Sequence, residues 1–245
     1  MSYIDGFVIA VPSANQHEFI AHANLIDRAF IEQGAARVVE CWGTDVPKGK
    51  TTDFQGAVAA QDDETVAFSW IEWPDKASRD RGMQRINEMF KTDARFDAAK
   101  NPMPFDGQRM IYGGFETIVE HGATSSDSYV QGFVIPVPAG KREHYRKMAE
   151  DAWAMFEDYG ALRVVEAWDD DVPDGKRTDF RRAVKAEAGE KIVFSFVEWP
   201  SREVCDAASN KMKNDERMKL PEGEMPFDAK RMIFGGFTRL VTLEK

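Results

Sequence analysis

YIDGFVIAVP, residues Tyr3–Pro12, returns 126 positions later as YVQGFVIPVP, Tyr129–Pro138. The same spacing holds outward from it. GAARVVECW (Gly34–Trp42) returns as GALRVVEAW (Gly160–Trp168). DVPKGKTTDF (Asp45–Phe54) returns as DVPDGKRTDF (Asp171–Phe180), and FSWIEWP (Phe68–Pro74) as FSFVEWP (Phe194–Pro200). MPFDGQRMIYGGF (Met103–Phe115) returns as MPFDAKRMIFGGF (Met225–Phe237) only 122 positions on, so the second copy lacks four residues between Pro200 and Met225. Four residues are about one helical turn, and a helix shortened by one turn keeps its buried face. The 245 residues therefore read as one unit present twice, 1–120 and 129–245. The small, polar stretch HGATSSDS, 121–128, reads as the linker.

Each copy shows one order of elements. Tyr3–Val11 is β-rich and stops at Pro12. Phe19, Ala23, Ile26 and Phe30 fall on one helical stripe, matched by Tyr145, Ala149, Ala152 and Phe156. Gly34 and Gly160 stand where a helix C-terminal glycine belongs. Arg37–Trp42 is a second strand; Pro47-Lys48-Gly49 and Pro173-Asp174-Gly175 suggest a type I turn. Val66–Trp73 is a third strand, closed by Pro74. Asp75 and Ser201 suit helix N-caps, before a stripe of Met83, Ile86 and Phe90. Met110–Val119 is a fourth strand, and its Gly113-Gly114 suggests a bulge or a close backbone approach. The order β-α-β-β-α-β is the ferredoxin-like plan, of class α+β. That plan leaves one sheet face open, yet these strands are apolar on both faces, where a half-solvated sheet alternates. The other copy is the simplest cover, giving an intrachain pseudo-dimeric α+β barrel: a monomer doing the work of a dimer, with further association open.

Bulk composition excludes several classes. The net charge is -10, and the basic runs Lys141–Lys147 and Lys176–Lys185 are short and interrupted, which disfavours a nucleic-acid partner. The apolar runs are too short to span a bilayer, which disfavours a membrane partner. The N-terminus lacks a basic region and carries Asp5, and two cysteines make no disulfide framework, so a cytoplasmic location is expected.

GFVIAVP, RVVECW, DVPxGKxTDF, FSWIEWP and MPFDGxRMIYGGF resemble, once per copy, the uncharacterised bacterial family typified by YbaA. The resemblance covers nearly the whole chain. It implies a dimeric α+β barrel, usually assembled from two single-unit chains, and it implies no reaction. Some members carry a link to signal-recognition-particle RNA, for which this acidic chain offers neither a basic stripe nor a stacking platform.

Duplication filters the chemistry. His17, His22 and His144 face Glu143, Met148 and Glu18 in the other copy, Cys41 faces Ala167, and Cys205 faces Arg79. No metal spacing, nucleotide loop or shared thiol results, and no cofactor is expected. What repeats is polar within apolar strands: Arg37/Arg163, Glu40/Glu166, Glu72/Glu198, Asp106/Asp228 and Arg109/Arg231. A carboxylate among aromatics must be paired, hydrogen-bonded or protonated. Barrel closure brings the second strand of one copy to the fourth of the other, so Glu40 is expected near Arg231 and Glu166 near Arg109. Glu40, Trp42, Trp70, Glu72, Arg109, Glu166, Trp168, Glu198 and Arg231 are the candidate residues for a small apolar or amphipathic ligand inside the barrel. A cofactor-free isomerase or monooxygenase using a buried Glu is the alternative, as is an interaction module without a pocket. A cavity lined by Glu40, Trp42, Trp70 and Glu72 would favour the first two, and a filled interior the third. Asp106 and Asp228 suit turns.

Overall fold

The computed structural model describes residues 2–218 and 225–245. Eight strands form one closed antiparallel barrel: β1 (Tyr3–Pro12), β2 (Arg37–Asp45), β3 (Glu64–Trp73), β4 (Ile111–Gly122), β5 (Tyr129–Pro138), β6 (Arg163–Asp171), β7 (Glu190–Trp199) and β8 (Ile233–Glu244). Around the barrel they run β1-β3-β2-β8-β5-β7-β6-β4. Each copy supplies four neighbouring strands. The two seams are the expected ones, the second strand of one copy against the fourth of the other: β2 on β8 and β4 on β6. Closure removes every sheet edge, which explains how long apolar strands coexist in one chain without an exposed ladder.

Helices cover the outside. The first copy has α1 (Gln16–Ile26) and α2 (Arg28–Glu32), then the short α3 (Phe54–Ala57) and the long α4 (Lys76–Thr92). The second has α5 (Arg142–Asp158), the short α6 (Phe180–Ala183) and α7 (Arg202–Met212). The missing turn falls in α7, 11 residues against the 17 of α4. Asp75 and Ser201 cap as expected, accepting from the N–H groups of Ser78 and Val204. Gly34 and Gly160 carry positive φ, +109° and +94°. Phe90 departs from the expected stripe: Ile86 is buried, but Phe90 is exposed against Phe96.

The barrel interior is filled. Phe68 stacks on Phe194 at 4.6 Å and Trp70 on Phe196 at 4.1 Å, each pair joining the two copies. The repeated glycine at the head of the opening motif makes room for this. A Cβ on Gly6 would lie 2.7 Å from the Phe194 ring, and one on Gly132 2.9 Å from the Phe68 ring. Gly114 and Gly236 allow Tyr3 and Tyr129 the same close approach, as one expected reading of the Gly-Gly pair held.

The DVPxGKxTDF motif behaves differently from the expected turn. Gly49 and Gly175 donate their N–H groups to the Asp53 and Asp179 carboxylates, which also cap α3 and α6. These short helices drive Phe54 and Phe180 into one barrel end, where they meet Phe68, Phe237, Phe115 and Phe194 edge-on. Thr52 donates to the carbonyl of Ala183, sewing the two plugs together.

Candidate functional site

Strand alternation divides the predicted residues between two layers. Opposite each other on β2 and β3 stand Arg37 and Glu72, Val39 and Trp70, Glu40 and Ser69. Val39, Cys41, Phe68 and Trp70 belong to the barrel core, whereas Trp42 belongs to a cluster with Phe19 under α1. Glu72 and Trp70 therefore face the barrel interior. Glu40 and Trp42 face the helices. The single cavity lined by all four does not form, because residues 40 and 42 have opposite parity to the strand face that 70 and 72 present.

The interior group is an ion cluster at the barrel end away from the phenylalanine plugs. Arg163 grips Glu72 with two bonds, 2.8 and 3.0 Å, and reaches Glu198 at 3.2 Å and Glu120 at 2.6 Å. Arg37 reaches Glu198 at 3.3 Å, and Arg239 reaches it at 2.7 Å. Trp70 Nε1 donates to Glu72 at 2.7 Å. In the second copy Phe196 replaces Trp70 and cannot donate; Ser128 and Arg239 fill that role on Glu198. The segment between β4 and β5 closes this end, since the carbonyl of Ser125 accepts from both Arg37 and Arg239. Burial alone would raise Glu72, but the Arg163 guanidinium and the Trp70 N–H outweigh it and hold the carboxyl below its usual range. Each carboxylate and guanidinium of this cluster has an oppositely charged partner, so the cluster fixes how the copies dock.

The expected ion pairs Glu40–Arg231 and Glu166–Arg109 do not form. Arg109 makes a bidentate pair with Glu64, both bonds 2.6 Å, and holds Asp106 at 3.0 Å. Arg231 does the same with Glu190 and Asp228. Asp106 and Asp228 also accept the N–H groups of Gln108 and Lys230, the turn role expected of them. These arginines anchor the MPFD loops. Such a loop lays Phe105 across Phe19, and Phe227 across Tyr145.

Beneath those rings lie Glu40 and Glu166, which form no ion pair among the described residues. Glu40 accepts from Ser69 and is hydrogen-bonded to Asp27, the residue between α1 and α2. Glu166 accepts from Tyr145 Oη at 2.7 Å and from Ser195. Glu40 and Glu166 are each 8% exposed. Burial pushes Glu166 up to about 7, against the lowering pull of its two hydroxyl donors. It pushes Asp27 and Glu40 upward together. Near neutral pH a glutamate at about 7 is divided between its neutral and ionised forms, so Glu166 holds its proton far more than an exposed glutamate does.

The comparisons bear on this geometry. Residues 2–107 and 128–229 each match the family described as Protein of unknown function (DUF1428). The chain belongs to that family, as a tandem duplication. The Uncharacterized protein YbaA of Escherichia coli K12 is 58% identical over 113 residues, which are 46% of this chain and 97% of that protein. Two solved structures share the barrel. A "Putative monooxygenase" from Lactobacillus acidophilus aligns with TM-score 0.59 and 10% identity over 99% of this chain and 96% of that one. Another from Fusobacterium nucleatum aligns with TM-score 0.58 and 9% identity over 100% and 94%. At such identity they show the fold alone.

Among the DUF1428 chain's described residues, no group of three or more His, Cys, Asp and Glu is placed to hold a metal, and no helix is long and apolar enough to cross a membrane. Both cysteines are buried, and burial pushes the Cys205 thiol up to about 11. A groove of about 510 Å³ lies outside the barrel between the loop before β4 and residues 173–179, lined by none of the predicted residues. Sequence reasoning missed Asp27, Tyr145 and Ser69/Ser195 as partners of the glutamates. Ser69/Ser195 repeats and was a findable signal. Asp27 and Tyr145 do not repeat, since Trp153 and Phe19 stand in their places, and a filter for repeated residues hides them.

Proposed function

We propose that this chain is a small-molecule-binding protein of two ferredoxin-like β-α-β-β-α-β repeats, 1–120 and 129–245, joined through 121–128. Each repeat holds a small apolar or amphipathic guest in its helix–sheet layer, against a neutral glutamic acid, Glu40 or Glu166. One observation carries the reading: these two buried glutamates have hydroxyl or carboxyl partners and no cation. Asp5, Asp169, Glu72 and Glu198 each have an arginine within 3.3 Å. An arginine-bound carboxylate has already spent its hydrogen-bonding capacity, whereas a neutral acid keeps an O–H to give and lone pairs to accept. Phe19, Trp42 and Phe105 wall one site, and Tyr145, Trp168 and Phe227 the other. Because these rings fill the layer, a guest must displace the Phe105 or Phe227 ring, and the MPFD loop is the element that moves. An uncompensated carboxyl disfavours anions, so the guest is neutral. The monooxygenase chemistry named for proteins of like fold is not carried over.

Native mass spectrometry of the intact chain, purified without denaturation, tests this. The expected result is a small apolar adduct whose occupancy falls tenfold or more in Glu40→Leu/Glu166→Leu and is retained in Glu40→Gln/Glu166→Gln. The reading fails if wild type carries no adduct, or if the leucine variant keeps it. A second reading, an interaction module without a pocket, is favoured by the stacked aromatics that fill the barrel interior; that outcome is what an adduct-free chain would indicate.

A further inference from the structure

We propose that the groove between the loop before β4 and residues 173–179 is a second binding site, taking a small planar molecule with one anionic group, a carboxylate or a phosphate. Lys176 and Arg177 meet the anion, and Met110 and Tyr112 meet the planar body. The groove lies outside the barrel and is lined by none of the residues around Glu40 and Glu166, so it stands apart from the neutral guest of the helix–sheet layers.

Two motifs that repeat in the sequence meet here across the copies, the MPFD loop of the first and the DVPxGKxTDF loop of the second. Their junction is held by named contacts. Thr178 donates to the carbonyl of Arg109 at 3.1 Å, and Arg177 lies 3.6 Å from Asp106. The groove offers about 510 Å³, within the roughly 300–1,000 Å³ of small-molecule sites. Because each copy supplies one wall, the site exists only where the copies are docked.

Duplication shows which side chain has no structural task. In DVPxGKxTDF, Asp171 pairs with Arg79 and Asp45 with Arg202. Thr178 and Thr52 donate to carbonyls, and Asp179 and Asp53 cap α6 and α3. Of the polar side chains that repeat in this motif, the lysine alone stands apart: Lys50 and Lys176 are exposed and form no ion pair among the described residues. The acids of the groove are already engaged. Asp179 accepts from the N–H groups of Gly175 and Arg182, and Asp174 lies 3.5 Å from Arg181. Asp106 is held more closely by Arg109, at 3.0 Å, than by Arg177. The groove thus carries surplus positive charge on a chain whose net charge is -10, and such a local field draws in an anion. The apolar wall is a second, independent observation. Tyr112 is 50% exposed while stacking on Phe7 at 6.4 Å, and Phe234 fills the matching position, 45% exposed, against Phe133. A half-exposed ring beside the thioether of Met110 presents flat apolar area that a planar molecule covers.

The test is a nitrogen-15 NMR titration of the intact chain with 2-naphthoate, with 2-naphthyl phosphate, and with neutral 2-naphthamide. The expected result is saturable amide shifts centred on residues 107–112 and 173–179 for at least one of the two anions, with half-saturation at least tenfold lower than for the amide. The anion that binds more tightly identifies the head group. Lys176→Gln/Arg177→Gln should weaken that binding tenfold or more, and the variant's otherwise unchanged spectrum shows that it is folded. Glu40→Leu/Glu166→Leu should leave the anion's affinity as it is. The proposal is overturned if neither anion saturates in the millimolar range, if the shifts centre elsewhere, if the amide binds as well, or if the double glutamine variant binds as wild type does. Because the leucine variant keeps this groove, failure here is distinct from an adduct-free native mass spectrum, which would instead sink the reading of the helix–sheet layers.

Discussion

The two repeats bury the same glutamate and make it tolerable in different ways. In the first, Glu40 leans on another carboxyl, Asp27, at a break in the helix. In the second, Glu166 accepts from a phenol, Tyr145, on an unbroken helix. Strand register, the serine partner and the ring-bearing loop are common to both. A duplicated unit can thus keep its acid and change that acid's proton partner through two helix positions, 19/145 and 27/153. The barrel-end cluster shows the same drift, with Trp70 bonding Glu72 where Phe196 leaves Glu198 to Arg239 and Ser128.

The largest break in this near-symmetry should appear in that cluster. Arg163 lies 2.6–3.2 Å from three glutamates, whereas Arg37 lies 3.2–3.7 Å from its three, one of them the exposed Glu244. Arg163→Met is expected to cost about 3–5 kcal/mol by taking from buried Glu72 its bidentate cation, with only Arg37 at 3.7 Å left, and Arg37→Met distinctly less. Urea unfolding of the two variants checks the order.

Next comes pH. Glu166 stands at about 7 in the folded chain against a usual 4.5. The neutral form is the one the fold accepts, so its stabilisation is full below about pH 4.5 and is lost as pH rises through 7. The difference is about 3 kcal/mol at roughly 1.4 kcal/mol per unit. Stability of wild type relative to Glu166→Gln should therefore fall by that amount between pH 4.5 and 8. A flat difference would mean that Glu166 is ionised in the fold. A smaller effect, about 1–3 kcal/mol, is expected for Gly6→Ala and Gly132→Ala alike, since each pushes a methyl into the other copy's phenylalanine ring. Unequal costs would show that the copies do not pack equivalently across the barrel.

The barrel was legible because the repeat and the double-faced apolar strands are both properties of the linear sequence. Which strands meet at the seams followed from strand order. The site was legible only in part. Glu40, Trp42, Glu166 and Trp168 do share layers with each other's counterparts, but parity puts Trp70, Glu72 and Glu198 on the far side of the sheet. Arg109 and Arg231 were assigned to glutamates across the seam, when Glu64 and Glu190, at the foot of the neighbouring strands, lie in reach. A sequence reveals which carboxylate needs a partner; the partner is set by loop geometry, and the MPFD loop turns its arginine back on its own copy.

The smallest effect separates the two proton arrangements most cleanly. Tyr145→Phe removes one hydroxyl from a buried 2.7 Å bond and leaves Ser195 on Glu166. The cost should be about 1 kcal/mol, the usual net worth of such a bond. Because that hydroxyl lowers the Glu166 pKa, its loss should also move the Glu166 titration upward from about 7. In a double-mutant cycle with Glu166→Gln, the coupling should recover most of that cost, because Glu166 is the hydrogen-bond partner of Tyr145 Oη among the described residues. The mirror change, Phe19→Tyr, places a hydroxyl on the first repeat's matching helix position, where Asp27 already holds Glu40. If Asp27→Asn/Phe19→Tyr makes the Glu40 titration match that of Glu166, the two positions account for the divergence; if the two curves stay different, other residues of the layer set it.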